Sequence, residues 1–435
     1  MNDSYRKFCL LVIISMVAAQ FLLMKGADLM PQYKREYQTF RFPPSRKDFH
    51  INYHASRALM SGGDIYFVHK EKDCPNREWY NSPFLAYAFA PFSLLPEIPA
   101  YMLWITLLLA VTVFSYWLFS RFFENKPLFW AVTLVITAFS YPLKFAQERG
   151  TVDHLIYLLV VLMFFSYAVK RRAWVTGVLL SAATLMKLYP GIFILYFAVK
   201  REWKVLTWSL VSFAGLVLLT GWGGTYGTFI QKMTGVVTHG TQIWTGNHSL
   251  VSCLNLTVGA GVMQGIIPKS FEEKSFLALV CALILTVLYW WAIKALLRAR
   301  VRTTRVIALE FSLLLSLATV TSPTSHDYNL VLLMFATMAL MYHYQELWRR
   351  RPWSWKDVPG IVVFIVSTAL LYTAPVLDIA ALLNGAHNGK ELRFYFLEND
   401  FWPVMGYFFL LYAILVNEQR PEDVRPASEG EKPNA

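Results

Sequence analysis

Apolar positions in this chain gather into segments of about 17 or more residues, long enough to span a hydrocarbon core of about 30 Å at the 1.5 Å rise of a helix. Such segments occupy residues 8–24, 98–119, 127–143, 153–169, 205–222, 276–297, 306–322, 328–344, 358–374 and 401–416. Arg6 and Lys7 precede the first, and no small-x-small cleavage site follows it, so it reads as an uncleaved anchor. Two further apolar stretches, 84–96 and 174–199, do not fit a single span, and the polar pattern places them.

Short basic clusters punctuate the apolar runs: Arg6-Lys7, Arg121 with Lys126, Lys170-Arg171-Arg172, Lys200-Arg201 with Lys204, Arg298/Arg300/Arg302/Arg305, and Arg349-Arg350-Arg351 with Lys356. If all face the cytoplasm, 84–96 does not cross, and 174–199 goes out and returns. This solution puts 18 Lys/Arg in short inner loops and 8 in the outer loops after residue 98. It predicts twelve crossings with both termini inside. The stretch 84–96 contains Pro91 and reads as a helix lying at the outer interface. Residues 174–186 and 190–199 would make helices of only about 20 and 15 Å. Their connection, Lys187-Leu188-Tyr189-Pro190-Gly191, is therefore expected below the outer surface, lining a cavity that opens outward.

Composition agrees. Hydrophobic residues make up 56% of the 435 and charged residues 16%, too little polar surface to cover soluble domains. A secreted disulfide scaffold, a disordered chain and a cytosolic enzyme are excluded. The net charge of +12 is explained mostly by sidedness and does not call for nucleic acid.

No glycine-rich phosphate loop, HExxH or paired CxxC occurs. Cys9 and Cys281 fall within spans and read as packing residues; Cys74 and Cys253 fall outside, which leaves a disulfide between them open. Polar candidates collect in the outer loops: residues 46–53, 62–66 and 80–84 in the first, 147–154 in the second, then Lys187, Asn247-His248-Ser249-Leu250 and residues 321–328. Asp64, in a Gly-Gly-Asp turn, reads as a turn-forming residue.

In order and placement these pieces resemble glycosyltransferase family 87 of the GT-C superfamily, membrane enzymes that take a sugar from a polyprenyl-phosphate carrier. The matching residues are Asp48-Phe49 with Tyr53, GGDIY at 62–66, Ser82-Pro83-Phe84 running into APFSLLP at 90–96, and QERGTVDHL at 147–155. Lys187-Leu188-Tyr189-Pro190, Asn247-His248-Ser249-Leu250, and Ser322-Pro323 followed by His326 complete the set, which covers roughly residues 1–345. Family members tend toward a second proline where Ser82 stands and toward Gly-Gln-Val-Asn near 147–153, where this chain has ERGTVD from residue 148.

The resemblance implies an all-α, GT-C-like bundle of about twelve transmembrane helices with a long first extracytoplasmic loop. Residues 1–345 would form the catalytic module, 346–416 two further helices with an outer loop, and 417–435 a disordered cytoplasmic tail. An acceptor hydroxyl attacks better as its proton leaves, which assigns a base, Asp48; beside Arg46 and Lys47 it would otherwise read as a surface ion pair. The departing lipid phosphate needs cations, and Lys187, Arg149 and His326 are the candidates. Arg149 could instead pair with Glu148 or Asp153, and His326 could simply be hydrogen-bonded. Tyr53, Tyr80, Asn81, Gln147, Asp153, Asn247 and His248 are the substrate-contact candidates. Trp79, Tyr80, Trp222, Tyr226 and Trp244 read first as interface anchors.

One inverting displacement needs no second carboxylate nucleophile. No cofactor is expected, and no metal, although Asp48 and Asp153 together could hold a divalent ion. The partners implied are a polyprenyl-phosphate-linked sugar, most commonly mannose, a glycolipid or glycan acceptor, and the membrane, with no nucleic acid. The location implied is the cell's inner (plasma) membrane, with the site extracytoplasmic. The rival reading is a secondary transporter or lipid flippase, for which Glu310, inside a span, is the best residue.

Overall fold

The computed structural model describes residues 47–66, 79, 81–221, 224–239, 247–263, 274–299, 302–322, 325–350, 354–372 and 401–417. The expected span 8–24, Cys9, Cys74, Tyr80, Trp222, Trp244, the loop 376–400 and the tail after 417 lie outside the described residues, and with Cys74 so does its pairing.

Regular structure among the described residues is helical, with one isolated bridge between Asn247 and His326. In chain order the helices are α1 (Lys47–Met60), α2 (Pro83–Ser93), α3 (Glu97–Phe119), α4 (Lys126–Phe139), α5 (Tyr141–Arg149), α6 (Asp153–Phe164), α7 (Ala173–Met186), α8 (Ile192–Val199), α9 (Trp203–Leu219), α10 (Gly224–His239), α11 (Leu250–Met263), α12 (Lys274–Arg298), α13 (Thr304–Thr321), α14 (Leu333–Arg350), α15 (Val358–Tyr372) and α16 (Phe401–Asn417). Five helical stretches among the described residues are long and apolar enough to cross a membrane: Glu97–Phe122, Phe276–Arg298, Thr304–Thr321, Asp327–Arg350 and Trp355–Tyr372. Shorter apolar helices at Asp153–Val169, Ala173–Met186, Tyr189–Val199, Trp203–Leu219 and Phe401–Asn417 occupy the remaining expected positions after residue 150. This is an all-α polytopic membrane protein.

Two interruptions shape the site end of the bundle. The expected span 127–143 is broken at Ser140, where α4 and α5 meet at 62°. Pro142 cannot continue the incoming helix, and the Ser140 side chain caps the new one by accepting the Leu143 N–H at 3.2 Å. The second break falls where the short segments require it. Lys187 ends α7 in extended backbone, and Tyr189–Gly191 forms a 3₁₀ turn before α8. Helix α2 packs on α1, and Ser82 just before it donates its hydroxyl to the Leu185 carbonyl beside that break.

Helix α13 is buried along nearly its whole length, whereas α12 turns Leu279, Leu283 and Trp290 outward and α15 turns out Val362, Ile365 and Val366. Apolar residues on such outer faces suit a lipid environment. The crossing of α7 and α9 uses small residues, since lipid gives helices little hydrophobic reason to associate. A Cβ on Gly177 of α7 would stand 2.6 Å from the Ser209 nitrogen of α9, and the Ser181 hydroxyl donates to the Ser209 carbonyl at 2.6 Å.

At the end of the bundle bearing the basic clusters, Glu310 is ion-paired to Lys200 and accepts from the Tyr196 hydroxyl at 2.9 Å. Lys200 also donates to the Leu296 carbonyl at 2.7 Å. The residue a transport reading relies on is thus tied to α8 and, through Lys200, to α12. Arg302 binds Glu202 and donates to the Lys200 carbonyl at 2.9 Å, while Arg349 reaches Glu124 at 3.1 Å, so basic loops distant in sequence meet there.

Two outcomes follow. Gly177→Leu forces α9 away from α7 and costs about 1–3 kcal/mol, read as a lower melting temperature in detergent. Lys200→Met alone strands a buried carboxylate and costs about 3–5 kcal/mol, whereas Lys200→Met with Glu310→Leu recovers most of the loss.

Candidate active site

Asp48 lies in the first turn of α1, and one glycine lets that helix approach α5. Gly150 closes α5 in the left-handed region at φ 66°, where a Cβ would stand 2.7 Å from the Phe49 Cβ. Trp104 donates its indole N–H to the Gly150 carbonyl at 2.9 Å, and Tyr101 its hydroxyl to the Glu148 carbonyl at 2.8 Å. Phe49, wholly buried, packs edge-on against Tyr101 with ring centroids 5.4 Å apart. Asp48 thereby meets Arg149 in a two-pronged ion pair: Nη2 donates to Oδ1 at 3.0 Å and Nε to Oδ2.

Lys187, released from helical geometry at the end of α7, reaches the first residue of α6. Its Nζ donates to the two Asp153 oxygens at 2.9 and 2.7 Å, with Asn329 Oδ1 at 3.3 Å. Tyr189 adds its hydroxyl to Asp153 at 2.8 Å. Asp153 is fully buried, and as the first residue of a helix it also complements the positive end of the helix dipole.

Tyr328 links these two pairs. Its ring centroid stands 4.5 Å from Lys187 Nζ and 5.8 Å from Arg149 Cζ, and it stacks on Phe145, whose centroid is 5.2 Å from the same guanidinium carbon. The His326 ring lies 5.2 Å from that of Tyr328. A clasp between chain segments holds this corner. Asn247 Oδ1 accepts the Ser325 N–H at 2.9 Å, the His248 N–H donates to the Ser325 carbonyl at 2.7 Å, and His248 Nε2 is 2.8 Å from Asp327 Oδ1.

Asp48, Arg149, Asp153, Lys187 and His326, drawn from four separate stretches of chain, therefore gather around Tyr328. Arg149 pairs with neither Glu148 nor Asp153, the two partners its neighbourhood in sequence offered. Asn247 and His248 are buried in the clasp that positions His326. Gln147 is half-buried on the same turn of α5 as Arg149. Asn81 donates its amide to Asn52 at 3.1 Å, and the buried Tyr53 gives its hydroxyl to the Leu95 carbonyl at 2.7 Å, so both brace the first loop. Asp64 accepts the Tyr66 N–H at 2.8 Å, the turn geometry expected of it. Tyr189 and Tyr328 fall inside the stretches 187–190 and 321–328, and Asn329 just beyond, but none of the three was among the expected contact residues. Only the break after α7 and the proline before His326 signalled that their neighbourhoods were special.

Chemically the cluster offers two fixed cations beside aromatic faces, each with a carboxylate in contact. That set can receive an anionic group while presenting an acceptor for a proton. Asp48 and Asp153 each face a cation of their own.

Residues 79–323 match the model of glycosyltransferase family 87, a stretch that includes Arg149, Asp153, Lys187, Asn247 and His248. Over 338 residues the chain is 23% identical to a Mycobacterium tuberculosis protein, the polyprenol-phosphate-mannose-dependent alpha-(1-2)-phosphatidylinositol mannoside mannosyltransferase. That alignment covers 72% of this chain and 74% of the relative. With more than half of its length matched and the polar cluster inside a helical membrane fold, the chain belongs to glycosyltransferase family 87 and is a membrane glycosyltransferase.

Proposed function

We propose that this enzyme moves a sugar, mannose foremost, from a polyprenyl-phosphate carrier to a hydroxyl of a glycolipid or glycan acceptor. The transfer is one inverting, metal-independent displacement at the extracytoplasmic face of the inner (plasma) membrane. The observation that carries this reading is the pair of cations, Arg149 and Lys187, held around Tyr328 with Asp48 in contact with Arg149. The mycobacterial relative, dependent on polyprenol-phosphate mannose, supports both the carrier and the sugar.

In this mechanism the acceptor oxygen bonds to the anomeric carbon as the bond from that carbon to the phosphate oxygen breaks. The acceptor proton passes to Asp48, and the phosphate leaves with the electron pair. Arg149 spends Nε and Nη2 on Asp48, and its Nη1 edge remains for the donor phosphate. A phosphate there competes for the guanidinium and loosens its hold on Asp48, freeing a carboxylate oxygen for the acceptor. Lys187 and His326 take up the charge that grows on the leaving group. Tyr328 keeps the cations apart and excludes water between them.

Sidedness has its own support. Helices α6, α13 and α14 each run between the polar cluster at one end and a basic loop at the other. Under the positive-inside rule the basic loops face the cytoplasm, which turns the cluster outward.

The test is purified protein with a panel of polyprenyl-phosphate sugars and a glycolipid acceptor, scored for polyprenyl phosphate released and sugar transferred. Turnover with the mannose donor is expected; inertness toward every donor sinks the proposal. Asp48→Asn should lower kcat by about 10²–10⁴. Donor binding should be unchanged or tighter, because Arg149 loses its competitor. The paired change Lys187→Gln with Asp153→Asn avoids a stranded buried charge. Loss of one charged hydrogen bond to phosphate, about 1.5–3 kcal/mol, should weaken donor binding about 10- to 100-fold in direct titration.

A further inference from the structure

We propose that His50, His54 and Glu97 form a binding site for a zinc-like divalent transition ion, fastening α1 to the start of α3. The residues belong to neither ion pair described above. His50 and His54 are four apart on α1, so their imidazoles share one face, with ring centroids 4.3 Å apart. Glu97, the first residue of α3, points its two oxygens at them: Oε1 lies 2.9 Å from His50 Nδ1 and Oε2 lies 3.5 Å from His54 Nε2.

These separations fit an ion. A tetrahedral zinc with bonds of about 2.0–2.2 Å holds its ligand atoms about 3.3–3.5 Å apart. One donor atom from each residue already lies within 4.8 Å of the other two. Glu97 and His50 need to open by only a few tenths of an ångström, and His54 is already at the right remove. Two imidazoles with one carboxylate suit zinc and its first-row neighbours, whereas calcium and magnesium prefer oxygens throughout. The three side chains are between 19% and 24% exposed, sheltered yet reachable. His54 also borders an open groove with Ser61, Asp64 and Ser93, which leaves the fourth position to water.

At about 100° per residue, Asp48 projects roughly 160° from His50 and 120° from His54 around α1. The ion therefore grips the helix from behind and touches no reacting atom. It acts with the Gly150 contact to hold Asp48 against Arg149. The transfer chemistry stays metal-independent, and the site stands whether or not the donor assignment does.

The experiment uses full-length protein purified without a polyhistidine tag, stripped with chelator and titrated with Zn²⁺ or Co²⁺. Bound metal is counted by mass spectrometry after desalting, and the cobalt form is read by its visible spectrum. One tightly held equivalent is expected, with the intense d–d bands of a four- or five-coordinate ion. Zinc in 100-fold excess over Kd should raise the melting temperature by several degrees. His54→Gln and Glu97→Gln should each lose that equivalent and the thermal shift. Wild-type protein that retains no more metal than these variants overturns the proposal. So does a cobalt spectrum of the hydrated ion alone, which needs no variant to fold.

Discussion

A lysine held against a buried aspartate is the constraint around which this end of the molecule is built. Lys187 and Asp153 stand where two helices fail to reach across the bundle, and neither charge can be left unpaired out of water. The pair is supported by hydrogen bonds from Tyr189 to Asp153 and from Lys187 to Asn329, and by the place of Asp153 at the positive end of α6. The same contacts join α6, the break after α7 and the 3₁₀ turn before α14. The chemistry of the site and the closure of the fold at that end are therefore one set of interactions.

A second buried pair, Lys200 with Glu310, closes the opposite end, where helices α6, α8, α12 and α13 converge on the basic loops. Between the two charged ends, the buried polar side chains of the described residues are uncharged ones such as Ser312, Ser316 and Thr337, and α13 runs through the middle almost wholly enclosed. Polar groups at the ends tolerate water or lipid headgroups, whereas the middle tolerates neither. This division explains how helices that cross incompletely can still belong to a stable membrane fold. It also explains why the broken segments lie beside the polar cluster, since irregular backbone at such depth survives only where protein or water satisfies it.

Much of the architecture was legible because hydrophobic run length and basic clusters report directly on membrane solvation. The interruption at Lys187, the short separate helix over residues 83–93 and the turn made by Asp64 all followed from length, proline and glycine. The kink at Ser140 did not, because a proline near the end of an apolar run signals a stop without giving an angle. Nor did the partner of Arg149. Neighbouring residues 148 and 149 point to different sides of a helix, and the left-handed Gly150 turns the chain away before Asp153.

By itself the sequence determined which segments are dissolved in lipid, which loops carry charge, and which polar residues could take part in sugar transfer. Only the tertiary structure decided that Asp48 meets Arg149, that Lys187 meets Asp153, and that Tyr328 lies beside both cations. Solvation is a property of each segment and can be read one segment at a time. Pairing joins residues 101 apart for Asp48 and Arg149 and 34 apart for Lys187 and Asp153, and the relative rotation of their helices is set by contacts such as Gly150 on Phe49 that no local pattern records.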